Sequence, residues 1–231
     1  MAVVFVCGFL ISGALAGTLP YKDPDLPVEH RVEDLLSRMT LDEKIGQMNM
    51  VFSSEILNKE RTELVPGTIE KYFGDQQIGS IKNLGNARYA FTLKPAKIAE
   101  IANRIQEFAK ENTRLGIPVL IVEESLHGYA AQGATVFPQC IGLAGTRDPE
   151  LIERIGSVIA KEIKVTGAHQ TYAPNLDVGR EPRWGRIEET FGEDPYLVSK
   201  LGTAMVRGLQ GHDFGPDSVI ATVKHFTAYG A

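Results

Sequence analysis

Four residues of this 231-residue chain, Glu124, Arg186, Lys224 and His225, carry side chains suited to gripping a ligand rich in hydroxyl groups. A carboxylate accepts hydrogen bonds from two hydroxyls at once, and lysine and arginine donate to others. Such a set orients a neutral, hydroxyl-bearing molecule through charge-assisted hydrogen bonds. The composition agrees with a neutral ligand. Lys and Arg total 24 against 29 Asp and Glu, a net charge of -5, and a mildly negative field disfavours a nucleic-acid backbone or an anionic membrane as partner. With 43% hydrophobic residues, the chain is able to bury a core.

Each candidate lies beyond a segment with strand character. Glu123-Glu124 follow Val119 to Val122, the stretch Pro174 to Arg186 follows His169 to Ala173, and Lys224-His225 follow Val219 to Val223; a further short strand is expected at Ile78 to Lys82. Helix patterns alternate with these strands. Val28 to Met39 aligns Val32, Leu35, Leu36 and Met39 on one face. Thr40 to Glu43 forms a capping box that opens a second helix, on which Met48 and Met50 are expected as packing residues. Lys94 to Asn112 aligns Ile98, Ile101, Ala102, Ile105 and Phe108. Asp148-Pro149 opens a helix along Leu151, Ile152, Ile155, Val158, Ile159 and Ile163, which Gly167 ends, and Asp194-Pro195 opens another through Leu209.

Strands alternating with amphipathic helices imply right-handed βαβ units and a parallel sheet, hence the α/β class. No G-x-G-x-x-G follows a strand and no G-x-x-x-x-G-K-[ST] occurs, which argues against an open nucleotide-binding sheet. Polar clusters just past strand C-termini are the pattern of a TIM-type (β/α)8 barrel. Four clear strands, where a complete barrel has eight, make this the amino-terminal portion of one, about half to two-thirds of it.

Residues 1–16 are uncharged and end in Ala14-Leu15-Ala16, the mark of a secretory signal peptide. The run is shorter than the roughly 20 residues that a membrane-spanning helix needs. Residues 17–231 are then one partial barrel domain, secreted or periplasmic. Cys7 leaves with the leader, so Cys140 alone remains and no disulfide framework is expected. No cluster has convincing metal-ligand spacing, and neither metal nor cofactor is expected.

Four blocks in order carry a family resemblance: MTLDEKIGQM (residues 39–48), EESLHG (123–128) with FPQ (137–139), GREPRWGR with FGEDP (179–195), and VKHF (223–226). Together they resemble glycoside hydrolase family 3, from about Leu26 onward. The resemblance implies removal of non-reducing-end β-glucose or β-xylose from β-linked oligosaccharides or glycosides by a retaining mechanism. It maps Glu124, Arg186, Lys224 and His225 onto the sugar-binding residues of the innermost subsite. Many members have Asp at the position of Glu124, and Asp is common where Glu181 stands. The family's nucleophile Asp and acid/base Glu are expected beyond Ala231, in a carboxy-terminal part of the same protein. These residues alone are therefore expected to be inactive. The alternatives are a non-catalytic sugar-binding module or an inactive gene fragment. Lys224 to Gly230 lacks the proline and second histidine of the β-N-acetylhexosaminidases, which favours the β-glucosidase and β-xylosidase branch.

The same residues also have purely structural readings. Arg183 and Arg186 are able to pair with Glu188, Glu189 or Glu193, and for Arg183 that reading is preferred. Asp177 is expected to accept backbone hydrogen bonds at a strand end. Trp184 either stacks on a sugar or anchors its loop, while His127 and Tyr129 shape the loop that bears them.

Overall fold

A computed structural model describes residues 19–85, 93–227 and 229–230. The leader expected at 1–16, and Cys7 within it, lies outside the described residues. The chain divides into two compact units, Met1–Lys44 and Ile45–Ala231.

The described residues of the first unit include a 3-10 turn, Pro20–Lys22, and helix α1, Val28–Arg38. Polar contacts organise it. The Tyr21 N–H donates to the Asp34 carboxylate at 3.2 Å, Arg31 Nε donates to the Tyr21 carbonyl at 3.1 Å, and Arg38 binds Asp34 through Nε and Nη2. The apolar face expected on α1 is present but not buried: Val32 and Leu36 are both 47% exposed. Periodicity specifies a face, whereas burial depends on what packs against it. Helix α2, Leu41–Gln47, begins with the expected capping box, Thr40 N–H to Glu43 Oε2 at 2.8 Å and Glu43 N–H to Thr40 Oγ1 at 3.2 Å. It stops at Gln47, so Met48 and Met50 are not on it; Met48 is exposed and Met50 opens a strand.

The second unit is a five-stranded parallel sheet with helices between its strands. Strands β1 (Met50–Phe52), β2 (Ser80–Lys82), β3 (Leu120–Glu123), β4 (Gln170–Thr171) and β5 (Ile220–Ala221) lie in the order β1-β2-β3-β4-β5. A doubly wound sheet reverses its strand order at a switch point. This order never reverses, which is the winding of a βα barrel. Strand β1 is the one that the sequence did not reveal, because its three residues run on from the apolar pattern of α2. β4 and β5 are shorter than expected. Past Thr171 their ladder continues as single bonds, Tyr172 N–H to the Glu123 carbonyl at 2.9 Å, Lys224 N–H to the Pro174 carbonyl at 3.1 Å and Leu176 N–H to the Lys224 carbonyl at 2.7 Å. Pro174 offers no N–H to a ladder.

Register sorts the strand residues onto two faces. Val51, Ile81 and Ile121 pair across neighbouring strands, as do Glu123, Thr171 and Ala221. Because side chains alternate along a strand, these residues share one face. Val51, Ile81 and Ile121 join the core with Ile98, Ile101 and Ile105 of α3 (Pro95–Asn112) and Ile152, Ile159 and Ile163 of α5 (Pro149–Lys164). Val158 of α5, expected in that stripe, is 39% exposed. Met50, Phe52, Ser80, Lys82, Leu120 and Val122 occupy the opposite, inner face. A short helix α4, Cys140–Ala144, and α6, Pro195–Gln210, complete the unit. Cys140 is buried, its Sγ donates to the Leu126 carbonyl at 3.2 Å, and burial pushes its thiol up to about 12.

The Asp-Pro helix starts form as expected. Asp148 accepts the Leu151 N–H at 2.9 Å and Asp194 accepts the Tyr196 N–H at 2.9 Å. Asp148→Ala leaves that N–H uncapped and should lower stability by about 1 kcal/mol. An unchanged urea midpoint would show that the cap contributes nothing.

Candidate functional site

The parallel arrangement sets the C-terminal ends of β2 to β5 side by side and brings distant residues to one rim. Strand alternation first separates the two adjacent glutamates. Glu123 turns with Ile121 toward the helices and is fully buried. There Oε1 accepts the Gly85 N–H at 2.8 Å. Burial pushes its carboxyl up to about 8, against the opposing influence of the Gly85 and Leu84 N–H groups and the Tyr129 hydroxyl. It is therefore mainly a neutral acid at pH 7, in the layer behind the rim. Tyr129, 2% exposed, also accepts from Thr166 Oγ1 at 3.2 Å. His127 Nδ1 lies 2.8 Å from the Phe137 carbonyl, so both residues shape the loop as expected.

Glu124 takes the opposite direction. Its Oε1 lies 3.0 Å from Lys82 Nζ and its Oε2 lies 3.0 Å from Lys224 Nζ. One carboxylate is thus held between two ammonium groups, each on a different strand end. Beside Lys224, His225 Nδ1 lies 2.7 Å from Asp177 Oδ2, and the His225 N–H donates to Asp177 Oδ1 at 3.3 Å. Asp177 is 7% exposed and does accept a backbone N–H, with the imidazole as an additional partner. With Nδ1–H donating to Asp177, His225 Nε2 is an acceptor facing Arg186 Nη1 at 3.5 Å.

Arg186 joins this second group through several contacts. Its Nε and Nη2 donate to the two oxygens of Glu189, and its Nη1 donates to Tyr229 Oη at 3.0 Å. Glu189 therefore satisfies the structural expectation for Arg186 without removing it from the rim. Burial raises the Glu189 carboxyl, but the Arg186 hydrogen bond and the charges of Arg186 and Lys224 hold it below the usual range. The Tyr229 ring stands edge-on to His225 at 4.3 Å and to Trp184 at 5.3 Å. Trp184 thereby anchors Tyr229. Arg183 is structural but pairs with Glu181, at 2.8 Å through Nε, rather than with the acids that follow it. That pairing, with the Arg183 N–H, holds the Glu181 carboxyl down to about 2.

All four candidates thus converge. Glu124 meets Lys224, His225 meets Arg186, and the Lys224-His225 backbone joins the two pairs. Asp177 and His225 also line a cleft of about 350 Å³ with Arg180, Phe226 and Tyr229. Two rim residues, Lys82 and Tyr229, had no motif to mark them; their only signal was position, Lys82 at the end of an expected strand and Tyr229 four residues past His225. A one-way wound parallel sheet with its polar residues at the strand C-termini defines a βα-barrel type of protein, with its rim where such barrels carry active sites.

Residues 40–231 match the glycosyl hydrolase family 3 N terminal domain, and the chain belongs to that family. It is 34% identical over 229 residues to a periplasmic beta-glucosidase/beta-xylosidase of Dickeya chrysanthemi, covering 92% of this chain and 33% of that protein. Among solved structures, it resembles a b-glucosidase of Erythrobacter marinus with a TM-score of 0.80 and 32% identity, covering 92% of this chain and 27% of that one. It also resembles a beta-glucosidase of Listeria innocua in complex with glucose, with a TM-score of 0.69 and 35% identity, covering 87% of this chain and 27% of that one. The chain thus spans about a quarter to a third of the length of these relatives.

Proposed function

We propose that Glu124, Arg186, Lys224 and His225 form the sugar-binding wall of a retaining β-glucosidase or β-xylosidase. In this reading the carboxyl groups that break the glycosidic bond belong to a carboxy-terminal part of the same protein. Residues 17–231 are then one part of its barrel domain, and the 1–16 leader sends it to the periplasm or beyond. The Dickeya relative, a periplasmic beta-glucosidase/beta-xylosidase, supports substrate and destination alike.

The observation that carries this reading is the meeting of Glu124 and Lys224, 100 residues apart, on one strand-end rim. They supply an acceptor and a donor for neighbouring hydroxyls. Retaining hydrolysis further requires a nucleophilic carboxylate and a carboxylic acid about 5–5.5 Å apart. The described carboxyls around this rim are already engaged: Glu124 by two lysines, Asp177 by His225 and Glu189 by Arg186. A carboxylate clasped by cations is a poor proton donor.

Calorimetric titration of the purified chain with D-glucose and D-xylose tests the wall, and aryl β-glucoside and β-xyloside assays test the division of labour. Saturable binding is expected, weakened at least about tenfold by Lys224→Ala as a charge-assisted donor is lost. Hydrolysis should be negligible, because loss of a nucleophile costs on the order of a million-fold in turnover. Absence of sugar binding would refute the wall. Turnover abolished by Glu124→Gln or Asp177→Asn would refute the assignment of chemistry elsewhere.

A further inference from the structure

Lys82 has no part in the four-residue wall, yet it closes β2 on the inner face, in register with Phe52 and Val122. Its Nζ lies 3.0 Å from Glu124 Oε1, 4.4 Å from the centre of the Tyr172 ring and 5.9 Å from that of Phe52, and its side chain is 19% exposed. Desolvating an ammonium to this extent is costly unless a carboxylate and aromatic faces compensate. Both are present, so the group has a defined place.

The two oxygens of Glu124 are each taken by a different lysine. A carboxylate tied at one oxygen turns about its last side-chain bond; tied at both, it has a fixed plane. Its remaining lone pairs then point in set directions toward whatever fills the open side of the rim. Two ammonium groups also bring one more positive charge than the single carboxylate neutralises. Glu189 is paired with Arg186, and Asp177 keeps its negative charge against the neutral His225 imidazole, so the excess is local to Lys82, Glu124 and Lys224.

We propose that Lys82 is a positioning residue that fixes the Glu124 carboxylate for a pair of sugar hydroxyls and biases the rim against cationic sugars. This inference rests on the sugar-binding reading given above. A purely structural lysine would instead act through its ammonium on the Tyr172 and Phe52 rings, and its loss would weaken glucose and isofagomine binding alike.

The test is calorimetric titration of the whole chain with D-glucose and with isofagomine, a cationic iminosugar, for wild type, Lys82→Met, Lys82→Gln and Lys82→Arg. Lys82→Met should bind glucose about tenfold more weakly, as expected for loss of a charge-assisted contact. It should bind isofagomine as well as wild type or better, so the ratio of the two affinities moves. Lys82→Arg, which restores the charge, should recover most of the glucose binding. If Lys82→Met does not fold, Lys82→Gln carries the same expectation. An unchanged ratio in a folded neutral variant overturns the role of Lys82 alone. Wild type that binds neither probe overturns the sugar-binding wall itself, and this inference falls with it.

Discussion

Glu123→Gln should make the protein markedly more stable at pH 8 while leaving sugar binding unchanged. The Glu123 carboxyl is pushed up to about 8 because it is fully buried in the layer behind the rim. In the unfolded chain the same group titrates near 4.5. Between those values the folded protein holds a proton that the unfolded chain has released, so stability falls as pH rises through this window. At about 1.4 kcal/mol per pH unit, the group withdraws on the order of 5 kcal/mol between pH 4.5 and 8. Below pH 4.5 it withdraws nothing. Glutamine keeps an oxygen to accept the Gly85 N–H and carries no titrating proton. Urea unfolding of both proteins at pH 5 and pH 8 measures the effect: the advantage of Glu123→Gln should be small at pH 5 and several kcal/mol at pH 8. Parallel pH profiles would mean that Glu123 is ionised in the folded protein.

Gly208→Val should be among the most destabilising single changes, although glycine is a poor helix former. Helices α5 and α6 cross with their backbones in contact at Gly156 and Gly208. A Cβ on Gly208 would lie 2.2 Å from the Glu153 carbonyl oxygen and 2.8 Å from the Gly156 Cα. Both are backbone atoms, so no side-chain rotation relieves the overlap. The helices would have to part, exposing Ile152, Ile155 and Ile159 on one and Leu201 and Met205 on the other. Overpacking of this kind costs about 3 kcal/mol, which outweighs the gain of roughly a few tenths of a kcal/mol in intrinsic helix propensity from glycine to valine. Gly185→Ala is the control, since a Cβ there meets nothing within 4 Å. Thermal unfolding should show a drop of many degrees for the first and almost none for the second. Equal melting temperatures would refute the close crossing.

Helix starts were legible because each depends on a few neighbouring residues. The capping box at Thr40 and Glu43 and the Asp-Pro starts at 148 and 194 are satisfied by groups two or three positions away. The strand-helix alternation was equally local, and with the position of the polar clusters it led to a barrel. The dense R-x-P-R-W-G-R and F-G-E-D-P blocks carried the family. What local pattern overstated was burial: Val32 and Leu36 on α1 and Val158 on α5 have the right period but stay exposed, while Leu35 and Met39 are half-buried.

Everything that depends on which strand lies beside which was decided by the tertiary structure. Glu123 and Glu124 are chemically equal neighbours until register sends one into the helix layer, to a partner 38 residues away, and the other to a lysine 100 residues away. Lys82 and Tyr229 carry no motif, and gain a place only because parallel pairing aligns the strand ends and the final loop folds against Arg186. Local sequence specifies a turn of helix or a pleat, since those close over a few residues. Contacts between side chains far apart along the chain exist only once the core has set the strands in register.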